Sequence, residues 1–170
     1  MATHIQLAQD PGARAREERD DAAAIRVILA EDHEVMRRGL RRVLDAAGDI
    51  EVIAEGDDLA AVMRHVQMQR PNVLVLDLNM GAGSGIEAIR LLREGVPATE
   101  IVVLKMDESA AFAQHAIDAG AIGFVLKDTA DAELPEAVRR AARRREYVSP
   151  RVAPKLHARR RATGDALHQH

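Results

Sequence analysis

The sequence predicts a doubly wound α/β domain in which five parallel strands alternate with five helices. Three observations carry that expectation. Short runs rich in Val, Ile and Leu recur five times between residues 25 and 126. Several of them are apolar at nearly every position, as strands buried on both faces of a parallel sheet read. The segments between them are long enough for helices and repeat their apolar residues at helical spacing.

The first run is Ile25 to Ala30, followed by Met36, Leu40, Val43, Leu44 and Ala47 as one helical stripe. The second, Ile50 to Ala54, precedes the stripe Leu59, Val62, Met63 and Val66. The third, Val73 to Leu76, precedes Ile86, Ile89 and Leu92, a helix that Gly95 and Pro97 bring to an end. The fourth, Ile101 to Leu104, precedes an Ala-rich helix over about 109–119 that stops at Gly120. The fifth, Ile122 to Leu126, leads into a helix over about 131–145 that buries Leu134, Ala137, Val138 and Ala141. Alternation of this kind implies right-handed crossovers and helices on both faces of the sheet.

The 170 residues suit one domain with appendages. Residues 1–23 are polar and aperiodic and read as a disordered leader. Residues 24–146 form the domain. Residues 147–170 read as a basic linker, with Ser149-Pro150 as N-cap and first residue of a short helix. Cys is absent, which excludes disulfides and thiolate metal sites. No apolar run approaches the ~20 residues that span a bilayer, and the N-terminus lacks a signal-peptide core, so the expectation is a cytoplasmic protein with no membrane partner. The net charge of −3 hides a segregation. Between Arg139 and Arg161 ten basic residues face one acid, Glu146. Such a segment suits a solvated linker or contact with nucleic acid, and the linker is the expectation. Its single aromatic, Tyr147, gives no base-stacking platform.

In a sheet of this type function sits at the carboxyl ends of the strands. There the chain places Glu31 and Asp32 after the first run, Asp77 and Asn79 after the third, Lys105 after the fourth and Lys127 after the fifth. Three carboxylates in one pocket resist joint ionisation, and a hard divalent cation with oxygen ligands removes the conflict. Asp32 and Asp77 suit direct ligation of Mg²⁺, Glu31 ligation through water, and the Asn79 backbone carbonyl a further oxygen. A carboxylate beside such a cation is a competent nucleophile toward phosphorus. Lys127 adds a point charge for the phosphate. A lone strand-end acid would be only a helix cap, as Asp32 could be; the matched strand ends together argue otherwise. The glycines of Gly81-Ala-Gly-Ser-Gly85 do not make a dinucleotide loop, because the third falls at Ile86.

Over residues 25 to about 146 the sequence resembles the receiver domains of two-component response regulators. The resemblance lies in Val27 to His33 (VILAEDH), Val73 to Met80 (VLVLDLNM), Gly85 to Ala88 (GIEA) and Ala119 to Asp128 (AGAIGFVLKD). Glu31-Asp-His33, Gly123 to Asp128 and Tyr147 to Pro150 are similar to the NarL/FixJ (LuxR-type) subfamily. It implies a flavodoxin-like strand order 2-1-3-4-5. It implies Asp77 as acceptor of a phosphoryl group from a histidine kinase, Glu31, Asp32 and the Asn79 carbonyl as holders of Mg²⁺, and Lys127 as phosphate contact. Phe124 falls where the family keeps a switch aromatic that turns inward on phosphorylation. The domain would signal, with no enzymatic activity beyond its own phosphorylation and dephosphorylation. It would pair as a homodimer and reach DNA only through a C-terminal helix-turn-helix domain that this chain stops short of.

Two departures stand out. Lys105 occupies the end of the fourth strand, where the family has Ser or Thr, and the glycine run replaces a Pro-containing turn. An inward Lys105 would weigh on the pocket by up to ~4 kcal/mol at 4 Å and an effective dielectric of 20. An outward one would only remove a hydroxyl. A pseudo-receiver, binding partners without phosphorylation, and a phosphatase of the aspartyl-phosphate type are the competing functions. No second catalytic acid near Asp77 supports the phosphatase.

Overall fold

The computed structural model describes residues 24–80 and 85–168; the leader and the Gly81–Ser84 loop lie outside the described residues. The elements run β1 (Ile25–Ala30), α1 (Glu34–Ala46), β2 (Ile50–Gly56), α2 (Leu59–Gln69), β3 (Val73–Asp77), α3 (Gly85–Gly95), β4 (Glu100–Lys105), α4 (Ala110–Ala119), β5 (Gly123–Leu126), α5 (Ala130–Ala142), β6 (Tyr147–Val148) and α6 (Ala153–His168). The strands form one sheet in the order β2-β1-β3-β4-β5-β6. All pairings are parallel. The expected order therefore holds, extended by a sixth strand and a sixth helix among the described residues.

Alternation along the strands divides the core in two. One face of the sheet, with Ile28, Leu74, Leu76, Val103 and Phe124, packs against α2, α3 and α4. The other, with Val27, Leu29, Val75, Leu104 and Val125, packs against α1 and α5. The helical stripes supply the matching residues: Leu40 and Leu44 from α1, Val62 and Val66 from α2, Ile89 and Leu92 from α3, Leu134 and Val138 from α5. Each fully buried Leu or Val of this kind contributes roughly 1.5–3 kcal/mol.

The C-terminal segment departs from the expectation of a short helix capped by Ser149. Residues Tyr147 and Val148 pair with Gly123 and Phe124 as an edge strand, and α6 starts at Ala153. The Ser149 hydroxyl does not cap the helix. It is fully buried, accepts the Leu126 amide at 2.9 Å and donates to Glu133 Oε1 at 2.7 Å. The same carboxylate oxygen accepts the Tyr147 hydroxyl at 2.9 Å. Burial, then the Glu133 carboxylate, hold the Tyr147 phenol well above its usual pKa. Val152 and Leu156 are fully buried and seat the start of α6. The basic segment is thus no uniformly solvated linker: Arg139 pairs with Asp49, Arg151 with Glu108 and Asp128, Lys155 with Glu108, and Arg160 with Glu146. Among the described residues no helix is long and apolar enough to cross a membrane.

Ser149→Ala should lower stability by about 1–3 kcal/mol, because the buried Leu126 amide loses its acceptor. The check is urea denaturation, with a reduced midpoint and an unchanged slope.

Candidate functional site

The strand ends bring Glu31, Asp32 and Asp77 together as expected, with His33 beside them. One donor atom from each of the four residues lies within 4.8 Å of the others. β3 ends in Asp77, which sits in register with Leu104 of β4. β1 ends at Ala30, so Glu31 emerges next to it. Glu31 and Asp77 are buried, at 0% and 1% exposure. Asp32 and His33 lie at the rim.

Lys127 is the cation of the pocket. Its Nζ lies 2.9 Å from Asp77 Oδ1 and 3.3 Å from Glu31 Oε1. The Asn79 amide donates to the same Asp77 oxygen at 2.9 Å, so the residue after next in the chain also fixes the carboxylate. His33 Nδ1 lies 3.0 Å from Glu31 Oε1 and 3.0 Å from Asp32 Oδ1. Burial raises the Glu31 carboxyl above its usual pKa, and the charge of Asp77 adds to the rise. Burial pushes Asp77 the same way, but the Asn79 amide and the Lys127 ammonium outweigh it and the carboxyl ends below its usual value.

Three carboxylates against one ammonium leave two negative charges uncompensated with His33 neutral. The geometry shows where. Glu31 Oε2 and Asp77 Oδ2 are buried and have no hydrogen-bond partner. Buried polar oxygens are almost always paired, and a buried charge without a partner is strongly unfavourable. Two such oxygens in one pocket are what a hard divalent cation, taking carboxylate oxygens, would complete. The residues therefore fit Mg²⁺.

The other expected residues fall as follows. Asn79 is exposed beside the pocket. Phe124 is fully buried between the sheet and the α2–α4 face, already inward. Lys105 does not enter the pocket: its Nζ lies over the Phe112 ring, 4.3 Å from the centroid, a cation–π contact of about 0.5–2 kcal/mol. Sequence reasoning missed the apolar lip of the site. A recess of about 500 Å³ opens beside Lys127, lined by His33, Val35, Met36, Asn79 and Met106. Val35 is 85% exposed and Met106 57%. The available signal was that Val35 stands one position off the α1 stripe, three residues past the acid pair.

Fold and site together define a doubly wound α/β domain with a buried carboxylate–lysine pocket at its strand ends. The chain matches the response regulator receiver domain family over residues 27–139 and belongs to it. It is 31% identical over 132 residues to the transcriptional regulatory protein DegU of Brevibacillus brevis, covering 78% of this chain and 56% of that protein. It is 36% identical over 141 residues to the DNA-binding transcriptional activator DevR/DosR of Mycobacterium tuberculosis, covering 83% and 65%. The crystal structure of a LuxR-family two-component response regulator from Aurantimonas aligns with a TM-score of 0.76 and 33% identity, covering 81% of this chain and 98% of that one. The isolated receiver domain of RcsB from Salmonella enterica with the phosphomimetic BeF3− aligns at 0.72 and 28% identity, covering 78% and 99%. The chain spans a little over half the length of DegU.

Glu31→Gln should stabilise the metal-free protein by about 1–3 kcal/mol, since it removes a buried charge without a partner for one of its oxygens. Mg²⁺ should raise the melting temperature of the wild type more than that of the variant. Thermal scans with EDTA and with millimolar Mg²⁺ check both.

Proposed function

We propose that this chain is the receiver of a two-component response regulator and that Asp77 accepts a phosphoryl group from the phosphohistidine of a sensor kinase. The observation that carries the reading is the bare, buried Oδ2 of Asp77, while its Oδ1 is held by Lys127 and Asn79. One oxygen is anchored and the other is free to act. Asp77 Oδ2 attacks phosphorus, an O–P bond forms, the P–N bond of the donor breaks, and its electron pair stays on the imidazole, which takes up a proton. Lys127 stays beside the growing charge and pairs with a phosphoryl oxygen. Glu31, Asp32, Asp77 and the Asn79 carbonyl would hold Mg²⁺, which supplies charge neutralisation for the phosphoryl oxygens when bound.

Lys105, parked on Phe112, leaves the pocket open, which supports phosphorylation despite the missing hydroxyl. The domain works in the cytoplasm as a signalling module rather than as an enzyme on outside substrates. Homodimerisation and control of transcription through a DNA-binding segment complete the reading, in line with DevR/DosR, a DNA-binding activator.

Acetyl phosphate with Mg²⁺ should add one phosphoryl group, seen by intact mass. Asp77→Asn should abolish the gain and Lys127→Met should reduce it at least tenfold. Lys105→Thr should label within about twofold of wild type. An unlabelled wild type would turn the reading to a pseudo-receiver.

A further inference from the structure

At the end of the domain opposite Asp77, five arginines stand outside the ion-pair pattern of the basic segment. Arg143, Arg144, Arg145, Arg159 and Arg161 are all exposed. Among the described residues none of them has a carboxylate within 4 Å, unlike Arg139, Arg140, Arg151, Lys155 and Arg160. Acids do lie in the neighbourhood: Arg143 helps to lower the Asp49 carboxyl, and Arg159 shares the lining of a recess with Asp118. Arg160 bridges α6 to Glu146 at 2.9 Å, so the second half of α6 lies beside the turn that carries Arg143 to Arg145. The turn precedes β6, and so lies at the amino-terminal edge of the sheet.

The backbone of that turn is informative. Arg145 donates its amide to Arg140 and Arg144 donates to Ala141, both at 2.9 Å. This is the Schellman closure of a helix, whose left-handed position is ordinarily glycine. Here it is Arg144, with φ +58°. A side chain with a Cβ is disfavoured there, and an outlier kept under strain points to a use for the side chain. The helix dipole does not supply the use, because Arg139 and Arg140 already occupy the last turn of α5.

We propose that Arg143, Arg144, Arg145, Arg159 and Arg161 form a docking ridge for the phosphate backbone of a nucleic-acid duplex. Guanidinium groups pair with phosphate oxygens in a bidentate manner. A protein partner is disfavoured because interfaces need an apolar core, and the exposed large hydrophobics, Val35, Met68, Leu91 and Met106, belong to other elements. A single strand is disfavoured because the nearby aromatic, Tyr147, is spent on Glu133 and lies under Arg140. The ridge is independent of the Asp77 pocket and needs no phosphodonor.

The test is fluorescence anisotropy of the 170-residue chain with a labelled DNA duplex of arbitrary sequence. Binding should weaken roughly 10²–10³-fold between about 50 and 200 mM NaCl, a log–log slope of about −4 to −5 for five contacts. The triple change Arg143→Ala, Arg144→Gly and Arg145→Ala should reduce the slope to about −2. Arg144→Gly alone separates binding from folding: it should raise the melting temperature by a few degrees, because it relieves the left-handed strain, while weakening the duplex severalfold. A wild type that fails to bind at 50 mM, a triple variant with the wild-type slope, or polyglutamate binding as tightly as the duplex would each overturn the proposal.

Discussion

Two buried carboxylates sharing one ammonium set the terms for the rest of this domain. Glu31 and Asp77 are buried at the base of the pocket, and like charges about 4 Å apart repel by ~4 kcal/mol even at an effective dielectric of 20. Lys127 offsets part of this only if it is held rigidly, since a mobile lysine would leave both acids bare. Its rigidity comes from the backbone before it. Leu126 pairs through β5 with Lys105, and its amide is tied to the buried Ser149 hydroxyl. The charge that the pocket lacks is thus built into a frame that cannot relax to supply it. That is the condition under which an incoming cation or phosphoryl group finds a preorganised site.

The frame explains why the chain continues past α5. β6 and the start of α6 form part of the domain because they hold β5 in place. Val152 and Leu156 bury completely, which outweighs the surrounding ion pairs. Those pairs are half-exposed, and each is worth about 0–1 kcal/mol. Their placement still matters. Arg151 reaches Glu108 and Asp128, one in the loop after Lys105 and the other next to Lys127. The turn that leads into α6 therefore touches both loops that border the pocket.

The five main strands were legible because buried parallel strands have no polar positions to confuse the pattern, and the strand-end rule then located Glu31, Asp32, Asp77 and Lys127. What the sequence concealed was non-local. Tyr147-Val148 is too short to show a period, and its strand exists only because β5 offers an edge. Ser149-Pro150 reads as a helix start by local chemistry, but a buried amide from another strand claims the hydroxyl. The direction of Lys105 depended on a competition between Asp77 and the Phe112 ring, and spacing along the chain says nothing about which wins. The arginine run was visible as charge, but which members pair among the described residues needed the positions of Asp49, Glu108 and Glu146.

A net charge near zero disguises a polarised molecule. Acids crowd the carboxyl end of the sheet, and arginines with no carboxylate partner among the described residues crowd the amino end. A strand the length of β3, with five residues, spans roughly 17 Å, while charges at the surface are screened over about 8–10 Å in physiological salt. The two ends therefore act as separate electrostatic neighbourhoods: the acidic one draws cations and repels polyanions, and the basic one does the reverse. A change of charge at Asp77 would barely be felt at the arginines through solvent. Any communication between the ends has to run through structure, and α6 contacts both, with Lys155 on Glu108 in the loop after Lys105 and Arg160 beside the arginine turn.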